Sequence, residues 1–62
     1  MKNTKWIIIR ISNNGNKTPG GEEYNSYDTA CMMQEILEFQ NPYTGFLIYT
    51  TDEWMHECEM NA

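Results

Sequence analysis

Apolar positions in this chain change period from two to about 3.6 and back, and the changes mark its elements. Over residues 5–12 (KWIIIRIS) β-branched residues dominate, which predicts a strand. Ile7, Ile9 and Ile11 point to one side, and Trp6, Ile8, Arg10 and Ser12 to the other. The first side reads as fully buried. The second is amphipathic, and Trp6 and Ile8 need cover of their own. Residues 44–51 (TGFLIYTT) read as another strand, with Phe46 and Ile48 on one face and Leu47 and Tyr49 on the other. Phe46 and Ile48 are expected to join the isoleucine face, leaving Leu47 and Tyr49 beside Trp6 and Ile8.

Residues 27–40 (YDTACMMQEILEFQ) carry a helical pattern. Ser26 is placed to cap it through its hydroxyl, and Asp28 suits the positive end of the helix dipole. Ala30, Met32, Met33, Ile36, Leu37 and Phe39 cover about half the circumference. That is broad for a helix packed on a small sheet, so one edge of the face is free to meet something else. Met32 and Met33 at its centre suit an adaptable contact as well as a core. Pro42 ends the helix and keeps Asn41 out of helical geometry. Residues 52–60 (DEWMHECEM) predict a short acidic helix capped by Thr51, with Trp54 and Cys58 on one face.

Between the first strand and the long helix lie residues 13–23 (NNGNKTPGGEE), read as a loop. Asn14-Gly15 suits a type I′ turn and Pro19-Gly20 a type II turn. A returning strand around residues 16–18 is conceivable, but Pro19 should soon end it. The predicted fold class is therefore α+β, a small mixed α/β unit of order β-loop-α-β-(short α), with residues 1–62 as one domain. If the two strands are neighbours, the helical crossover makes them parallel. Such a pair is not stable alone, so either the loop adds a strand or a second chain completes the sheet. The C-terminal helix, with Trp54, or another subunit then covers the second face. A chain of 62 residues buries a thin core, which favours a homodimer.

Charge narrows the partner. All four basic residues (Lys2, Lys5, Arg10, Lys17) precede all nine acidic ones, and the formal net charge is −5. No basic stripe is available for phosphates, so nucleic acid and anionic membrane surfaces are not expected partners. A protein with a basic surface fits better. No stretch has the roughly 20 apolar residues of a membrane span. The start MKNTKWIIIRIS does not read as a secretory leader, so a cytoplasmic protein with Cys31 and Cys58 as free thiols is expected.

Candidate chemistry is sparse. His56-Glu57-Cys58-Glu59 offers half a zinc site at best, and residues 56 and 58 diverge on a helix, so no metal or cofactor is expected. His56 is the only imidazole and no nucleophile–base spacing stands out, so an enzyme is not expected. Lys17, Gly20 and Gly21 could offer a cation and backbone amides to an anion, without the spacing of a phosphate loop. A nucleotide or anion sponge at a dimer interface is thus the alternative to protein binding, and a regulatory subunit of a bacterial assembly is a third reading. The acidic belt of residues 35, 38, 52, 53, 57 and 59 is modest for a DNA mimic. For protein binding, Trp6, Tyr49 and Trp54 are the expected contact anchors, with Asp52, Glu53, Glu57 and Glu59 steering toward a cationic partner.

At the level of a class, the short chain, the acidic stretch of residues 52–59 and the aromatics Trp6, Tyr49 and Trp54 resemble small acidic phage-encoded proteins that bind and block a host enzyme or defence complex. That resemblance implies an inhibitor, of host-blocking or anti-defence type, that acts by occupancy; it transfers no individual residue's function.

Overall fold

The isoleucine run organises the fold as the middle strand of three. The computed structural model describes residues 4–60. Its elements are β1 (Trp6–Ile11), β2 (Lys17–Tyr24), α1 (Tyr27–Gln40), β3 (Gly45–Thr50) and α2 (Thr51–Met60). The sheet order is β2-β1-β3, and β1 is antiparallel to both neighbours. The protein is a small α+β fold, but two expectations are corrected. The segment 13–23 is mostly strand rather than loop. And β1 and β3 are antiparallel, not parallel: the helical crossover links β2 to β3, which run parallel with β1 between them.

Local geometry explains why β2 forms despite its composition. The Gly15 amide donates to the Ser12 carbonyl (2.9 Å), and Gly15 has φ +86°. The Ser12 amide then donates to the Asn16 carbonyl (2.9 Å). This is a three-residue hairpin loop, a type I turn followed by a left-handed glycine. The expected type I′ turn would need Asn14 at positive φ, and no described non-glycine residue has one. Ladder bonds alternate along an antiparallel pair. With Ser12 and Asn16 bonded, Arg10 and Thr18 form the next bonded pair, and Pro19, opposite Ile9, faces its nitrogen to the open edge. Proline there costs no ladder bond, so Pro19 neither ends the strand nor starts a type II turn. Ile7 pairs with Glu23 and Ile9 with Pro19, so four steps of β2 oppose two of β1. The irregularity lies between Pro19 and Glu23, a stretch that includes Gly20, where a Cβ would lie 3.0 Å from the Arg10 Cβ.

The register also decides the faces. Trp6 pairs with Thr50, Ile8 with Ile48 and Arg10 with Phe46, while Ile7 pairs with Tyr49 and Ile9 with Leu47. Directly paired residues share a face. Phe46 and Ile48 therefore join Trp6 and Ile8, and Leu47 and Tyr49 join Ile7 and Ile9, the reverse of the sequence expectation. An edge-on contact between Trp6 and Tyr27, with ring centres 6.2 Å apart, assigns α1 to the first face. Stacking of Tyr49 on Trp54, at 6.1 Å and 16°, assigns α2 to the second. Both helices cover the sheet, and α2 with Trp54, one of the two covers expected for a second face, lies on the side of Tyr49. Ile8 and Ile9 are both fully buried, each under a different helix.

Both free edges of the sheet are blunted. The Thr51 amide donates to the Lys5 carbonyl (3.0 Å), which makes residues 5 and 51 a bonded pair. By alternation, Phe46, Ile48 and Thr50 turn their backbone groups outward. The Gln34 amide reaches from α1 to donate to the Phe46 carbonyl (2.9 Å), and the Thr50 amide donates to Glu53 Oε1 (2.9 Å). On the opposite edge Pro19 supplies no donor and the irregularity interrupts β2. Such edges discourage strand addition.

Candidate functional site

α1 is an apolar helix on two sides. Ala30 is fully buried, and Met33, Gln34 and Leu37 are half-buried beside it. At about 100° per residue these four form one inward stripe. Met32, Ile36 and Phe39 cluster on the opposite side, and they are 63%, 45% and 89% exposed. Tyr43, in the turn after α1, is 94% exposed. The broad apolar face read from the sequence thus splits into a core half and a solvent half, with Met33 in the first and Met32 in the second. Scattered single apolar residues are ordinary on a surface, but these three stand together on one side of the helix. Asp28 and Glu35, both exposed, lie together on one flank of the stripe, while Thr29 and Gln40 lie on the other.

The side chains expected to anchor a partner are engaged inside the fold. Trp6 is half-buried against Tyr27. Tyr49 and Trp54 are half-buried against each other and fasten α2 to the sheet. Glu53 belongs to a capping box: its Oε1 accepts from the Thr50 amide, while its own amide donates to Thr50 Oγ1 (3.1 Å). The cap is Thr50 rather than Thr51. Glu57 pairs with Lys17 at 2.7 Å, and Lys17 Nζ also donates to the Tyr49 hydroxyl (3.1 Å). That pairing raises the Lys17 pKa, and Lys17 lowers that of Glu57. Asp52 and Glu59 are exposed on α2.

Lys17 also lines a groove of about 730 Å³ between the hairpin and α2, with Gly15, Asn16, Thr18, Trp54, Glu57 and Cys58. Gly20 and Gly21, the other residues of the expected anion site, are not among its walls. Cys31 and Cys58 are free thiols. Among the described residues no three His, Cys, Asp or Glu side chains are grouped to hold a metal ion. None of the described helices is long and apolar enough to cross a membrane.

The outward stripe of α1 was within reach of the sequence through the excess width of its apolar face. What the sequence lacked was the position of the sheet, which lies on the side of the fully buried Ala30. Comparison of the chain with protein-family models, curated proteins and solved structures gives no match.

Proposed function

We propose that this protein is a protein-binding module that acts by occupancy rather than by catalysis, with the outward face of α1 as its contact surface. One observation carries the reading. Met32, Ile36 and Phe39 stand exposed on the side of α1 opposite its packed stripe, outside the core of the fold. Exposed apolar side chains are a liability unless something covers them, and a large aromatic such as Phe39 supplies the kind of anchor that dominates binding energy. The blunted sheet edges support the same surface, because they disfavour binding by strand addition. An inhibitor that occupies a partner's functional surface is one form of this activity, and a cytoplasmic setting suits the free thiols.

Photo-crosslinking tests the reading. A photoreactive phenylalanine analogue at position 39, in cells that make the protein, is expected to give one discrete adduct. The adduct should disappear when Met32→Gln is added, and the same analogue at position 22 should give none. Diffuse labelling at position 39, unaffected by Met32→Gln, would overturn the proposal.

A further inference from the structure

We infer that the occupant of the α1 face is a cationic amphipathic helix of another protein, with its basic residues along one flank; this rests on the reading of α1 as a docking surface. The shape of the surface points to a helix. Met32 and Phe39 are about 10 Å apart along the axis, so the apolar stripe is a narrow ridge about two turns long. Ridges of this kind pack into the grooves of another helix. An added strand would need open backbone groups at a sheet edge, where Gln34 and Glu53 hold the Phe46 carbonyl and the Thr50 amide and Pro19 offers no donor.

Charge selects the sign and the side. Asp28 and Glu35 are seven residues apart on the same flank, about 10 Å along the axis. The opposite flank has the uncharged Thr29 and Gln40, and α1 has no lysine, arginine or histidine. Cations spaced by two turns on one side of a partner helix would meet both carboxylates while its apolar residues cover Met32, Ile36 and Phe39. This one-sided match fixes the sign of the partner's charge and the flank of α1 on which it lies. A second copy of the chain matches poorly. It brings a further net charge of −5; in an antiparallel pair its own Asp28 and Glu35 row would lie along the same flank, and in a parallel pair the two carboxylates would meet only the uncharged Thr29 and Gln40. The homodimer expected from size alone thus gives way to a heterologous partner.

The probe is a synthetic Leu/Lys amphipathic helix of about four turns, titrated into the isotope-labelled full chain and followed by amide chemical shifts. Two control peptides are needed: one with the same residues scrambled to remove the apolar face, and one with Glu in place of Lys. The Leu/Lys helix should bind about tenfold more tightly than either control, with shifts centred on residues 28–39. Phe39→Gln should weaken it about tenfold or more, and Asp28→Asn with Glu35→Gln by a smaller factor that vanishes at high salt. Equal binding of the scrambled peptide, or shifts centred on the acidic residues of α2, would overturn the inference. So would concentration-dependent dimerisation of the labelled chain that Phe39→Gln abolishes, since a second copy would then own the face. A discrete crosslink at position 39 together with failure of the Leu/Lys helix would remove only the nature of the partner. Loss of the crosslink would remove the docking surface itself.

Discussion

The two helices solve the same problem by different means. α1 buries Ala30 completely, half-buries Met33 and Leu37, and still has Met32, Ile36 and Phe39 to spare. α2 buries no residue fully. It is held by the Thr50–Glu53 capping box, the Tyr49–Trp54 stack and the Lys17–Glu57 pair. One helix carries apolar residues on two opposite sides, and the other is held mainly by aromatic and polar contacts. α2 also exposes Met55 and Met60, at 60% and 73%, but these point about 140° apart around the helix, whereas Met32, Ile36 and Phe39 share one side of α1. That side is the face most available for a function outside the fold.

The largest expected effects lie beneath the helices. Ile8→Ala and Ile9→Ala should each cost about 2–5 kcal/mol in urea unfolding, a large share of a small domain's stability. Similar losses would show that both sheet faces carry core; a negligible loss for Ile9→Ala would mean that α2 does not cover its face. Next, Trp54→Ala should cost about 2 kcal/mol. Hydrogen exchange should localise that loss to α2 and leave α1 protected; uniform loss of protection would show the helices to be one cooperative unit. Thr50→Ala removes the cap and should cost about 1 kcal/mol, again concentrated in the first turn of α2.

A smaller effect concerns pH. Glu57 has a lowered pKa in the folded chain, so its contribution is present above the ordinary carboxylate value of 4.5 and is lost as pH falls through the lowered one. Lys17 has a raised pKa, so its contribution is present below 10.5 and is lost as pH rises through the raised value. The stability gap between the wild type and Glu57→Gln should thus be flat through neutral pH, close in acid, and narrow again in strong base. A gap that persists unchanged in acid would detach Glu57 from the ion pair.

Most of the elements were legible because their patterns are strong. The isoleucine run, the α1 periodicity ending before Pro42, and the aromatic β3 each have one good reading. β2 was not, because NKTPGGEEY has no apolar alternation to announce a strand. It is imposed by the open edge of β1 and by Gly15, and Pro19 is tolerated only because its nitrogen faces outward. The missed strand then propagated: without β2, the helical crossover had to join β1 to β3 and make them parallel. The faces of Phe46 and Leu47 were likewise beyond reach, since a one-residue change of register exchanges them. Trp6, Tyr49 and Trp54 read as anchors because large aromatics serve interfaces and thin cores alike. Only their contacts with Tyr27 and with each other show what they do in the fold.

The central claim is that α1 carries an apolar face the fold does not use. Urea unfolding of the Met32→Gln, Phe39→Gln double variant tests it most directly. The account predicts stability within about 0.5 kcal/mol of the wild type, because both side chains stand in solvent and glutamine is a good helix former. A loss of several kcal/mol would place Met32 and Phe39 in the core and contradict it.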